Sequence, residues 1–177
     1  MFKHRRVNVV GTSASGKSTF ARRLAGRLGV PLIELDALHW GPNWTEVPDQ
    51  LMRQRVRAAT AGDAWVVDGN YAAVREVTWA RVELVVWLDY SLPTILRRYL
   101  VRTLRRVGRR EELWSGNRER LAEHLFSRDS LLLWILTTYR RRRREYPRLL
   151  ASRPDIAVTR LRSPAEAERW LAAIRPA

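Results

Sequence analysis

A mostly apolar, β-branched run, Val7-Asn8-Val9-Val10, stops at Gly11. Four small residues follow, Thr12-Ser13-Ala14-Ser15, and then Gly16-Lys17-Ser18-Thr19 opens a helical pattern. The spacing G-x-x-x-x-G-K-S between a strand and a helix is the one a phosphate-binding loop requires. Glycines lack Cβ, so they permit a tight turn and close approach of the backbone to a ligand. The turn aims successive backbone N–H groups at one point, and the helix behind it adds its positive dipole end. Gly11, Thr12, Ser13, Ala14, Ser15, Gly16, Lys17, Ser18 and Thr19 are therefore the candidate contacts of a nucleotide's phosphates. Lys17 is placed to reach the β- and γ-phosphates of ATP, and the Ser18 hydroxyl to complete a Mg²⁺ shell of water and phosphate oxygens.

Strand and helix patterns alternate from there. Arg6 to Val10 reads as the first strand. Lys17 to Leu28 reads as a helix, with Phe20, Leu24 and Leu28 at helical spacing and Gly29 as its stop. Pro31 to Asp36 is a second strand ending in a carboxylate, followed by a loop, Ala37 to Trp44, rich in turn formers and large aromatics. A helix over Pro48 to Ala61 precedes a third strand, Ala64 to Tyr71. A short helix over Ala72 to Ala80 precedes a fourth strand, Val82 to Asp89. Ser91 caps a helix over Leu92 to Val107, which Gly108 ends. Arg109 to Glu119 lacks a period and reads as a loop. Leu121 to Ala151 is a long helical segment that Pro147 should kink or end. Asp155 to Leu161 is the fifth strand, and Ser163-Pro164-Ala165-Glu166 is a capping box opening a last helix to near Ile174. Repeated βα units with buried-type strands predict an α/β fold, a five-stranded parallel sheet with helices on both faces. In such sheets ligands lie at the carboxyl ends of the strands, so Gly11, Asp36, Asp68 and Asp89 should rim one crevice.

At 177 residues the chain suits a single domain over 1–177. It has no cysteine, which excludes disulfides and thiolate metal sites and agrees with a cytoplasmic location. No signal peptide opens the sequence, and the longest apolar run, Leu131 to Leu136, is too short to span a bilayer, so no membrane partner is expected. The formal net charge is +15, from 33 Lys plus Arg against 18 Asp plus Glu, which draws polyanions: nucleotides or nucleic acid. Only Lys3 and Lys17 are lysines. Arginine is the better bidentate phosphate clamp, while a GC-rich genome accounts for the same bias without any function.

Three further pieces narrow the reading: Leu35-Asp36 running into His39-Trp40-Gly41-Pro42-Asn43-Trp44, then Trp65-Val66-Val67-Asp68-Gly69-Asn70-Tyr71, then Leu88-Asp89. Together with the phosphate loop they resemble the adenylate-kinase-like P-loop kinases over nearly the full length. The likeness is greatest to the small branch labelled DNA topology modulation proteins. The resemblance implies a five-stranded P-loop NTPase fold with a hinged lid, here short and inserted at about 108–128, and phosphoryl transfer from MgATP. It implies that Asp68 orders Mg²⁺ through water and that Arg98 and Arg102 grip the phosphates. The same helix would pack on the adenine, opposite the loop near Arg162 and Ser163. A lid without cysteines excludes the zinc-bearing form. Arg109, Arg110, Arg128 and Arg140 are candidates for the remaining lid arginines. Adenylate kinases follow their strand-three carboxylate and glycine with phenylalanine, proline and arginine. Asn70-Tyr71-Ala72 stands in that place here.

On the acceptor side Asp36 is a candidate base or hydroxyl ligand, with a helix cap as the plain alternative. His39, Trp40, Asn70 and Tyr71 are candidate substrate contacts. His39 serves equally as a packed loop residue, and Trp40 and Trp44 as apolar plugs. Asp89 reads as structural, capping the turn into the following helix. Of the run Arg140 to Arg144, one or two side chains point to the transferred phosphate and the rest are solvated. The stripe around Trp134 reads as core. The expected activity is an ATP-dependent phosphotransferase acting on a small molecule, such as a nucleoside or nucleotide. The rivals are a nucleic-acid-binding protein that uses ATP as a switch, and a bare NTPase.

Overall fold

The computed structural model describes residues 2–109 and 131–176. Most of the expected lid over 108–128, Arg110, Arg128 and the start of the helix expected from Leu121 lie outside the described residues. The elements are β1 (Arg6–Gly11), α1 (Lys17–Leu28), β2 (Leu32–Glu34), α2 (Leu35–His39), α3 (Asp49–Ala59), β3 (Trp65–Asp68), α4 (Arg75–Trp79), β4 (Leu84–Leu88), α5 (Leu92–Arg109), α6 (Leu131–Ala151), β5 (Ala157–Leu161) and α7 (Pro164–Ala173). The five strands are all parallel, in the order β2-β3-β1-β4-β5.

The central strand, β1, sorts the core into two layers. Val7 and Val9 face Leu24 of α1, Tyr99 of α5 and Leu171 of α7. Val10 belongs to the opposite layer, with Met52 and Val56 of α3 and Trp79 of α4. Each fully buried aliphatic side chain of this kind contributes roughly 1.5–3 kcal/mol of transfer free energy. Helix α6 serves both layers: Ile135 and Tyr139 pack in the first, Tyr146 and Leu150 in the second. Its middle therefore passes the sheet between the two layers.

Three expectations about elements are corrected. The second strand ends at Glu34, and Asp36 sits in the first turn of the short helix α2 rather than at a strand end. The cause is packing: Leu35 is buried so tightly on Gly69 that a Cβ at Gly69 would stand 2.9 Å from Leu35 Cβ. Gly69 itself sits at φ 129, a conformation side chains rarely adopt. Of the two outcomes expected at Pro147, a kink or an end, the end does not occur: α6 runs on to Ala151, with Tyr146 and Leu150, one turn apart, both buried. Among the described side chains of the stripe around Trp134, Ile135 is core and fully buried, while Leu133, Trp134 and Leu136 are exposed, Trp134 by 48%. The capping box holds, with Glu166 N–H donating to Ser163 Oγ at 3.2 Å.

One polar residue lies inside β1. Asn8 is buried, donates its amide to the carbonyls of Val67 (3.2 Å) and Gly69 (3.0 Å), and accepts from the Trp79 indole at 3.0 Å. A buried amide is tolerated when it is fully bonded. Here it joins β1 to the bend after β3 and to α4.

Candidate active site

The turn from β1 into α1 has the shape that the motif predicts. Ser15 N–H donates to Thr12 O at 3.1 Å, and Gly16 caps α1 in the left-handed region at φ 92. Ala14 is left-handed too, at φ 64. No side chain caps α1 and no acidic residue lies in its first turn, so the N–H groups there are open to an anion. Lys17 Nζ donates to Thr12 O at 3.2 Å, folded back along the loop. Arg98 Nη1 donates to Ser15 O at 2.9 Å, and its guanidinium lies 5.4 Å over the Tyr90 ring. A Cβ on Gly16 would stand 2.5 Å from Arg98 Nη1, so glycine is what lets the arginine lie against the loop.

Asp68 ends β3 beside this cradle. Its carboxyl is buried, and burial raises its pKa, while the Lys17 ammonium and a hydrogen bond from Ser18 oppose that rise. Its Oδ1 is buried and has no partner among the described residues. An orphaned carboxylate oxygen next to a P-loop serine is the donor set that a hydrated Mg²⁺ takes. Ser18 and Asp68 thus fit the metal, and the residues of the loop fit the phosphates. Burial lowers the Lys17 pKa, Asp68 and Asp36 act against this, and Arg142 and Arg102 add to it.

The residues expected on the acceptor side gather in an aromatic cluster around Asp36. Tyr71 donates its hydroxyl to Asp36 Oδ1 at 2.6 Å. The His39 ring lies 4.6 Å from the Tyr71 ring and 4.6 Å from Trp40, and Trp44 packs edge-on to Trp40 at 5.5 Å. His39 Nε2 is 3.7 Å from Glu46 Oε1. Burial, with the Asp36 charge beside it, pushes the Tyr71 pKa far above its ordinary value, so the phenol remains a donor. Asn70 follows at the end of β3, next to the buried Tyr146 hydroxyl of α6, whose pKa burial raises and Asn70 counters.

The arginines are sorted by helix faces. Arg102, one turn beyond Arg98 on α5, lies 6.0 Å over Tyr99. Arg140 is exposed, and Arg142 is the residue of the run that faces the loop, with Nη1 3.4 Å from Gly11 O. Two residues are about 200° apart around a helix, so the pair points to opposite sides. The signal was present in the spacing. Tyr139 and Tyr146 mark the inner face of α6, and Arg142 lies three residues after one and four before the other. Arg162 is exposed, and its N–H donates to Glu166. Asp89 does not cap α5: its carboxylate is held by Arg143 and Arg160, while Ser91 Oγ pairs with Thr94 Oγ1 at 2.9 Å. Asn8, Arg142 and Arg143 are the residues that sequence reasoning had not singled out.

No protein-family model matches the chain, and no curated protein sequence matches it. Solved structures do. An unliganded sugar kinase from a Janibacter species is 22% identical, with a TM-score of 0.51, over 96% of this chain and 94% of that one. A gluconokinase from Sinorhizobium meliloti is 20% identical, with a TM-score of 0.52, over 97% and 93%. A shikimate kinase from Acinetobacter baumannii, in complex with shikimate, is 17% identical, with a TM-score of 0.58, over 97% and 91%. At these identities the likeness speaks to architecture alone, and the chain shares the fold of these structures: five parallel strands with helices on both faces.

Proposed function

We propose that the protein is an ATP-dependent phosphotransferase that uses MgATP to phosphorylate a hydroxyl group of a small molecule. The observation that carries this reading is the pair of carboxylates around Lys17. Asp68 and Asp36 both act on the lysine's charge, Asp68 from the end of β3 and Asp36 from the first turn of α2. A nucleotide switch or bare NTPase needs the first; the second, set among His39, Trp40 and Tyr71, has its use in holding an acceptor. Lys17 and Arg142 neutralise charge on the transferring phosphoryl oxygens, and Arg98 and Arg102 flank the loop. Ser18 and, through water, Asp68 would hold a Mg²⁺ ion, which would supply further neutralisation of phosphate charge. Asp36 orients the acceptor hydroxyl and takes its proton as the new O–P bond forms and the bond to ADP breaks. Tyr71 fixes the carboxylate for that task.

The neighbours are named for a sugar, gluconate and shikimate, and a hydroxyl-bearing acceptor of that kind suits a cluster of one carboxylate, one phenol and neighbouring aromatic rings. The motifs Asp36-x-x-His39-Trp40 and Asp68-Gly69-Asn70-Tyr71 favour the branch labelled DNA topology modulation proteins, and the absence of cysteine favours the cytoplasm. Among the described residues no helix is long and apolar enough to cross a membrane. The test is a screen of radiolabelled ATP against nucleosides, nucleotides, sugars and hydroxy acids, with Lys17→Ala as the control. Acceptor-dependent label transfer is expected; ATP turnover that no acceptor alters would leave the bare NTPase. The exposed Arg140, Arg141, Arg144 and Arg148 of α6 favour a second reading, a nucleic-acid contact. Duplex binding through phosphates must weaken steeply with salt, and weak, salt-indifferent binding removes it.

A further inference from the structure

Asp89 stands one residue beyond Leu88, whose ladder partner on β1 is Gly11, the first residue of the phosphate loop's consensus. Its N–H donates to Leu161 O at 2.8 Å, and its side chain is only 2% exposed. Two arginines share the carboxylate. Arg160 of β5 donates Nε (2.9 Å) and Nη2 (2.5 Å) to Oδ2 while stacking 4.5 Å over the Trp87 ring. Arg143 of α6 lies with Nε 2.9 Å from Oδ1 and Nη2 3.3 Å from Oδ2. Arg143 is itself held by Tyr139, one turn earlier, whose hydroxyl accepts from Nη1 at 2.9 Å.

One arginine balances one carboxylate, and Arg160 does so from a strand already in the sheet. The second arginine is surplus to charge neutrality. What it adds is a tie between α6 and the end of β4. Apolar contacts hold α6 against the core but are non-directional, and they specify rotation and register weakly. A guanidinium fork on a buried carboxylate specifies both. The residue before Arg143 on the same helix is Arg142, about 100° away around the axis. With Arg143 on Asp89, Arg142 Nη1 comes 3.4 Å from Gly11 O.

We propose that Asp89 and Arg143 are positioning residues that seat α6 so that Arg142 stands over the phosphate loop and meets the terminal phosphate of ATP. The inference rests on the kinase reading but not on the identity of the acceptor. Neither Asp89 nor Arg143 touches the nucleotide; both act through Arg142.

The probes are MgATP and MgADP, titrated calorimetrically against the full chain, with the ratio of the two affinities as readout. Arg142→Gln is expected to lower that ratio roughly ten- to a hundredfold, the worth of a charge-assisted hydrogen bond to phosphate. Arg143→Gln should lower it nearly as far, and the double variant no further than Arg142→Gln alone. Arg160→Gln, which leaves the α6 tie in place, should stay within about twofold of the parent, well below a tenfold step. Arg143→Met keeps an unbranched, uncharged side chain at this position and repeats the test if Arg143→Gln does not fold. A folded Arg143 variant with the parent's ratio overturns the proposal, as do losses that multiply in the double variant. If the parent binds neither nucleotide, it is the kinase reading that fails, and the two failures are distinct.

Discussion

The Tyr71 hydroxyl donates to Asp36 Oδ1 at 2.6 Å, joining the end of β3 to the short helix that follows β2. The phenol occupies one carboxylate oxygen; in the proposed function the other holds the acceptor. Because burial and the Asp36 charge raise the Tyr71 pKa, the bond survives well into the alkaline range.

Tyr71→Phe removes the donor and keeps the ring beside His39. It should lower kcat/KM for the acceptor about tenfold, the worth of one hydrogen bond to a charged group, with MgATP affinity unchanged. Asp36→Asn should lower the same constant by roughly 10²–10⁴. If steady-state assays instead show MgATP affinity falling while acceptor turnover holds, Asp36 lies on the nucleotide side.

Lys17→Ala should reduce phosphoryl transfer by roughly a thousandfold, because a preorganised cation at the transferring group is lost. Its melting temperature should stay close to the parent's, since Lys17 is partly buried and, among the described residues, its ammonium donates to its own loop. The parent's kcat/KM for ATP should fall on the alkaline side at a pH below the ordinary lysine value, because burial lowers the Lys17 pKa. A pH–rate profile in Tyr71→Phe should keep that limb in place.

Asn8→Ala strands the Trp79 indole N–H and empties a volume at the centre of the sheet. Urea unfolding should show a loss of about 2–4 kcal/mol, from an unsatisfied buried donor together with the cavity. A change below about 0.5 kcal/mol, the range of surface substitutions, would mean that the amide network contributes nothing net.

Glu83 ties the start of β1 to β4. It accepts from the N–H groups of Arg5 (2.7 Å) and Arg6 (3.2 Å) and from the Arg6 guanidinium (2.6 Å). Burial raises its pKa, but these bonds outweigh burial and the net shift is downward from 4.5. A carboxylate whose folded pKa is depressed stabilises the fold above its unfolded pKa and loses that contribution as pH falls through the folded pKa. Glu83→Gln should therefore cost about 1 kcal/mol at pH 7, a value discounted for partial exposure. Thermal melts below pH 4.5 should show the gap closing.

Much of the architecture was legible because its signals are local. The glycines and lysine of the loop, the Gly29 stop and the Ser163 capping box each depend on a few consecutive residues, and they appear where the spacing puts them. The alternation of apolar strands with amphipathic helices carried the parallel sheet as well. The arginine run was not resolved in this way. Five consecutive arginines look alike until Tyr139 and Tyr146 are known to be buried; only then does Arg142 fall on the face toward the loop, with Arg143 beside it reaching Asp89 and Arg140 exposed.

The chain by itself determined the phosphate cradle and the order of the elements around it, because bonding between near neighbours decides both. Tertiary structure decided the partners of Asp36, Asn8 and Asp89. Each of these is met by a side chain more than thirty residues away, brought there by sheet register and helix rotation. Such meetings depend on how whole elements pack, and no short stretch of sequence contains that information.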